Sequence, residues 1–246
     1  MELEKQAVKA QAGSALAAYV TFREMSADYA GKLTKPTPDF AKVQDQWVAR
    51  LAKFVQDYPQ AEDAPDALLQ LGMVSEFLGK EIEAKKWYQQ LASQFADKKP
   101  LADKATGALR RLDVEGKPFE LAGSTLDGKP FTMATVGGKV VIAYYWASWN
   151  QQSVGDFARL KLLESSYAAK GVEIVCINLD NAPPAPGSTQ APGIQLYQPG
   201  GLDSPLATHY GIMVLPNLFL VNREGKVASR TVQLANLEDE IKKLVK

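Results

Sequence analysis

Val140-Val141-Ile142-Ala143-Tyr144-Tyr145-Trp146-Ala147-Ser148-Trp149, followed by Asn150-Gln151-Gln152-Ser153, is the stretch whose reading decides the fold. It begins as a continuous apolar run of β-branched and aromatic residues, the pattern of a strand buried on both faces. At Asn150 a helix begins, and asparagine is a side chain that caps such a start. Val154, Phe157, Leu160 and Leu163 then fall in helical register up to Gly171. Val172 to Leu179 is a second apolar run, so the three pieces read as strand, helix, strand.

Outward from that unit, Leu218 to Val221 is a third strand. Asn222-Arg-Glu-Gly225 follows as a hairpin turn, with Gly225 in the left-handed position. Leu237 to Val245 is a closing amphipathic helix. The order is β, β, β–α–β, then a β-hairpin and α: an α/β fold with a central mixed sheet flanked by helices. The segment after Asp180 runs Asn-Ala-Pro-Pro-Ala-Pro-Gly-Ser-Thr-Gln-Ala-Pro-Gly193, and its four prolines rule out a helix there.

With those pieces in order, Trp146-Ala-Ser-Trp149 resembles the strand and turn that lead into the active site of thioredoxin-like proteins. It resembles in particular TlpA-type extracytoplasmic thiol–disulfide oxidoreductases of the redoxin superfamily, where Cys-x-x-Cys comes next. Leu126-Asp-Gly-Lys129 with Gly138-Lys139 resembles the opening hairpin of that family. Gly171 to Asp180 resembles its next strand, and Tyr210-Gly-Ile212 through Leu215-Pro216-Asn217 to Val221 the segment that holds its cis-proline. The resemblance covers roughly 125 residues and implies a thioredoxin fold over 117–246. It also puts Asn150, Gln151, Gln152 and Ser153 on the Cys-x-x-Cys positions. In the family the backbone before the cis-proline pairs with an extended peptide, which makes Trp149, Val214, Leu215 and Pro216 the candidate peptide-binding residues.

Thiol–disulfide exchange needs one thiolate to attack and a second thiol to resolve the mixed disulfide. Asn150 and Ser153 do neither. Cys176 is the only cysteine, set mid-strand among Ile174, Val175 and Ile177, where a thiol is a small buried hydrophobe. No intrachain disulfide, thiolate metal site or catalytic cysteine is expected. What the site retains is Asn150 as a cap, the free N–H groups of a helix start as an anion or carboxylate locus, and Trp149 as an exposed contact. His209, the only histidine, lies in the helical segment DSPLATHYGI and reads as a surface residue. No metal or cofactor is expected.

Residues 1–116 follow a different grammar and read as an all-α helical-repeat domain. Val8, Ala12, Leu16, Tyr19, Val20 and Phe22 share one face of a first helix that runs out near Gly31. After KLTKPTPDF, with Thr37 or Asp39 as cap, a second helix carries Val43, Trp47, Leu51, Phe54 and Val55. Further helices are expected from Ala64 to Leu78, Glu81 to Phe95 and Leu101 to Leu112. Phe54 to Tyr58 resembles Leu91 to Phe95 at an offset of 37 residues. The series Leu68, Leu71-Gly72, Gly79, Ala84, Tyr88, Leu91 resembles a tetratricopeptide repeat. In such a repeat Gly72 and Ala84 allow close helix approach, and the concave face binds protein.

Composition bounds the function. Lys plus Arg is 28 and Asp plus Glu is 28, so the basic excess of a nucleic-acid binder is missing. No apolar window is long enough to span a bilayer, and the N-terminus reads as amphipathic, with no signal peptide visible. The resemblance implies an extracytoplasmic setting. Three readings follow. The first is a non-catalytic thioredoxin-like protein that binds proteins or extended peptides. The second is a family member with a residual or partner-dependent redox role, Ser153 and His209 included. The third is a structural component of an envelope assembly. On enzymatic activity the missing thiols weigh against the family resemblance.

Overall fold

A computed structural model describes residues 14–34, 39–184 and 190–246. The expected face at Val8 and Ala12, the cap at Thr37 and the centre of the proline-rich segment lie outside these residues. The chain divides into two compact units, Met1–Ala105 and Thr106–Lys246. The division falls eleven residues before the expected 116/117 boundary, inside a helix.

The first unit holds α1 (Ala15–Leu33), α2 (Phe40–Asp57), α3 (Ala64–Phe77) and α4 (Glu81–Gln94). Helix α5 (Lys99–Leu112) runs across the division. Each start has a local cause. Ser14 accepts from the Ala17 N–H, Asp39 accepts from the Lys42 N–H, and Pro65 fills a first-turn position of α3, where no N–H is needed. Val43, Trp47, Leu51, Phe54 and Val55 of α2 are all buried. On α1 the outcome differs: Leu16 and Tyr19 are exposed, while Ala17, Ala18, Phe22 and Met25 are buried. The buried stripe is shifted toward alanines, which take less room than the large residues expected there. Between α3 and α4 the approach is close. A Cβ on Gly72 would sit 2.3 Å from the buried ring of Tyr88, whose hydroxyl donates to Glu76 at 2.7 Å.

The second unit starts with a small antiparallel hairpin, β1 (Ala122–Ser124) and β2 (Pro130–Thr132). Then come β3 (Val140–Trp146), α6 (Gln151–Gly155), α7 (Phe157–Tyr167), β4 (Val172–Asn178), β5 (Ile194–Tyr197), α8 (Pro205–Thr208), β6 (Asn217–Val221), β7 (Val227–Ser229) and α9 (Leu237–Leu244). The sheet order is β5-β4-β3-β6-β7. β3 pairs parallel with β4 and antiparallel with β6, so it is the centre of a mixed sheet, and all seven of its residues are buried.

Alternate side chains of β3 feed two cores. Val141, Ala143 and Tyr145 pack with Phe119, Tyr210 and Phe219 on one face. Val140, Ile142, Tyr144 and Trp146 pack with Phe157, Leu160, Leu163 and Ile241 on the other. Two expectations need correction. The single helix after Asn150 is two, broken at Asp156, and the break turns Val154 outward to exposure. The stretch after the prolines ends in β5, a short edge strand that pairs parallel with β4.

Candidate functional site

The strand end and the first turn of α6 place the residues of interest. Ala147 to Trp149 leave β3 without a helix, and the Asn150 N–H donates to the Ala147 carbonyl at 3.1 Å. Asn150 then caps α6. Its Oδ1 accepts from the Ser153 N–H at 2.9 Å and from the Ser153 hydroxyl at 2.9 Å. Its Nδ2 donates to the Leu215 carbonyl at 3.2 Å. One amide side chain therefore ties the helix start to the segment before Pro216, whose peptide bond is cis. Ser153 is fully buried, and Gln151 and Gln152 are exposed.

The anion locus expected at this helix start is not built. α6 has five residues, too few for a sizeable dipole, and Asn150 occupies the Ser153 N–H. The peptide-pairing edge is also partly used: the Leu215 carbonyl is taken by Asn150 and Leu215 itself is buried. Val214 (64% exposed) and Trp149 (58% exposed) stand outward, whereas Trp146 is core, edge-on to Phe157 at 4.9 Å.

Sequence reasoning missed the groups around this clasp. The Tyr144 hydroxyl donates to Asp156 Oδ2 at 2.7 Å beneath the helix break, 3.3 Å from the Ser153 carbonyl. Burial first, then Asp156, pushes that phenol far above the ordinary tyrosine range, so it stays protonated. Asp180 Oδ1 accepts from the Ser148 N–H and hydroxyl at 2.8 and 3.0 Å, and Oδ2 from Asn178 at 3.0 Å. The only advance sign of these pairings was polarity at the end of an apolar run. Cys176 is fully buried, and burial pushes its thiol well up, the reverse of what a nucleophile needs. His209 is not a plain surface residue. It packs edge-on against Tyr210 and its ring meets Arg110 and Glu120. Among the described residues no hydrogen bond links Ser153, which bonds to Asn150, with His209, which meets Arg110 and Glu120.

Two clefts flank the clasp. One of about 930 Å³ is bordered by Trp146, Trp149, Phe157, Lys161, Asp180 and Pro183. The other, of about 500 Å³, lies beside Tyr144, Gln152, Asp156, Pro216 and Arg230. Among the described residues no cluster of three His, Cys, Asp or Glu is placed to hold a metal ion, and no helix is long and apolar enough to cross a membrane.

A family model described as thioredoxin-like matches residues 137–227. The C-terminal unit is a thioredoxin fold. Curated relatives carry redox names. The thiol-disulfide oxidoreductase ResA of Bacillus anthracis is 27% identical over 115 residues, covering 44% of this chain and 62% of that protein. ResA of Bacillus subtilis (strain 168) is 26% identical over 102 residues, covering 41% and 57%. The chain thus spans less than two thirds of these relatives' length. Among solved structures, a thiol:disulfide interchange protein of the thioredoxin family from Chlorobium tepidum TLS superposes with a TM-score of 0.45 at 21% identity. It covers 54% of this chain and 99% of that one. The N-terminal helical unit lies outside the residues matched by the family model.

Proposed function

We propose that the Thr106–Lys246 unit is a redox-inactive thioredoxin-like module that binds an extended segment of another protein. The helices before it would supply a tetratricopeptide-like pair as a further protein-binding surface. The observation that carries the reading is the Asn150 clasp. The two side chains that stand where the resemblance puts cysteines are an amide and a hydroxyl bonded to each other, with no sulfur among them. An oxidised pair would be a covalent bond and a reduced pair a nucleophile; this pair is neither.

The same geometry supports one way of holding a peptide. The Leu215 carbonyl is occupied, and among the described residues nothing accepts from the Leu215 N–H. Strand-like pairing is thereby reduced to one hydrogen bond, and the affinity rests on the exposed side chains of Trp149 and Val214. Closeness to redox-named relatives supports a second reading, in which a partner brings the cysteines. The extracytoplasmic setting belongs to the same proposal.

The test uses the full chain and two assays. Insulin reduction should not exceed the buffer control. A reduced and carboxymethylated unfolded protein should bind and shift the tryptophan emission, and Trp149→Ala with Val214→Asp should abolish the binding. Disulfide cleavage well above background refutes the redox-inactive part. Undiminished binding by the double variant refutes the placement of the peptide.

A further inference from the structure

A third cavity, of about 500 Å³, opens on the face of the sheet turned away from Trp146 and the clasp. Phe119, Leu121, Met133 and Leu206 form the apolar part of its wall. Tyr145 forms part of it. β3 is hydrogen-bonded on both edges, so only the Tyr145 side chain reaches the cavity. Tyr145 is fully buried, and among the described residues its hydroxyl has no hydrogen-bond partner. Two further lining residues have a buried polar atom without an aligned hydrogen-bond partner, Gln198 at Oε1 and His209 at Nε2, the latter 3.3 Å from Glu120 Oε2. Buried polar atoms are paired in native proteins, so three such atoms on residues that line one hollow mark a place for a partner.

The donors can be assigned. Arg110 Nη1 lies 3.2 Å from His209 Nδ1 and also donates to the His209 carbonyl. A guanidinium only donates, so Nδ1 is the acceptor and the ring proton sits on Nε2. That nitrogen is 3.3 Å from Glu120 Oε2, without hydrogen-bond alignment. The cavity therefore offers two donors, Tyr145 O–H and His209 Nε2–H, and one acceptor, Gln198 Oε1. The charges beside it, Glu120 and Arg110, are of opposite sign, which disfavours an anion or a cation of either kind.

We propose that this cavity binds a small neutral molecule with an apolar ring or short chain and one carbonyl oxygen, such as an amide or a ketone. The oxygen accepts from Tyr145 and His209, and the apolar body packs on Met133, Leu121 and Leu206. In the unliganded protein the three polar atoms are shielded from bulk water. Gln198, half-buried on the loop between β5 and α8, has three side-chain torsions with which to turn aside as the ligand enters. The size lies within the range of small-molecule sites, about 300–1,000 Å³.

Benzamide and cyclohexanone are the probes, with benzoate and benzylamine as charged counterparts, each titrated into the full chain. The Met133 methyl carbon–proton signal is the readout. Both neutral probes should move it, and both charged ones should bind at least about fivefold more weakly. Tyr145→Phe should weaken the neutral probes by about fivefold without lowering the thermal midpoint, because the lost hydroxyl has no partner to lose. Ala134→Phe, at an exposed position on the cavity rim, should abolish the response without touching the core. The proposal is overturned if neither neutral probe moves Met133 up to about 20 mM, ample for fragments of this size. It is overturned equally if Tyr145→Phe and Ala134→Phe respond like the unaltered chain.

Discussion

Replacing Asn150 by alanine should destabilise the C-terminal unit by far more than the loss of a helix cap alone. The cap contributes about 1 kcal/mol, through the bond from the Ser153 N–H to Oδ1. The larger effect is indirect. The Ser153 hydroxyl is fully buried and its recorded partner is Asn150 Oδ1, so the substitution strands it at a cost of about 1–3 kcal/mol. The Leu215 carbonyl loses its donor as well. A total of about 2–4 kcal/mol should lower the midpoint by about 6–16 °C, at about 3–4 °C per kcal/mol for a unit of this size. The chain has two compact units, so the readout must belong to the second. Cys176, the chain's single thiol and fully buried in β4, provides it: pulse labelling in increasing urea reports the opening of this unit alone. The decisive comparison is a cycle with Ser153→Ala. Without the hydroxyl there is nothing to strand, so Asn150→Ala should then cost only about 1 kcal/mol, leaving a coupling of about 1–3 kcal/mol. A cost below about 0.5 kcal/mol, or equal costs in the two backgrounds, would show that the clasp contributes no cooperative stability.

Gly72→Ala should destabilise the N-terminal unit by about 2 kcal/mol or more, although alanine gains about 1 kcal/mol in helix propensity, because its Cβ meets the buried Tyr88 ring at 2.3 Å; far-UV dichroism of the melt measures it, and a stabilised variant would mean the helices separate freely there. Burial first, then Arg110, holds His209 below the ordinary histidine value. The unfolded chain therefore takes up that proton more readily, so the contribution is present above the unfolded value of about 6.5 and is lost as pH falls from there toward the folded value. His209→Gln should flatten this slope in Cys176 labelling between pH about 7 and 5, and an unchanged slope would assign it elsewhere. Introducing sulfur with Asn150→Cys and Ser153→Cys should yield a chain that forms a reversible disulfide and reduces insulin, while either single variant should not. An inert double variant with its fold intact would show that two thiols at these positions are not enough for exchange.

Much of the second unit was legible because its strands are buried on both faces. Val140 to Trp146, Val172 to Asn178 and Leu218 to Val221 are apolar without interruption, which only a central strand requires. The edge strand β5 was not legible. Ile194 to Tyr197 is four residues long with one of them buried, and what defines it is pairing with Val175 to Asn178. The exposure of Val154 was hidden by the break at Asp156, since a helix that restarts changes phase and a period counted across the break assigns the wrong face. On α1 the large residues drew the eye, but Ala17 and Ala18 are buried and Leu16 and Tyr19 are not. Size is a guide to burial only where there is room for it. Asn150 as a cap was readable from its residue type and place. Its second bond, to a carbonyl 65 residues further on, was not, because nothing local encodes it. The grouping of Arg110, Glu120, Tyr145 and His209 was invisible for the same reason.

The clasp also bears on what these positions can do without sulfur. A dithiol that turns over must have one member free to leave its neighbour, so the pair cannot be cross-bonded into the scaffold in both states. Here Asn150 Oδ1 holds Ser153 by two hydrogen bonds and Nδ2 holds the segment before Pro216, so the helix start and that segment are tied together. Constraint of this kind disfavours catalysis by movement but favours recognition, since a rigid surface gives up less entropy on binding. Trp149 and Val214 project from the two segments that the clasp joins. Loosening the clasp should therefore weaken peptide binding even where neither exposed side chain is altered, and that dependence separates a surface held in place by the Asn150 bonds from two apolar residues that merely happen to be exposed.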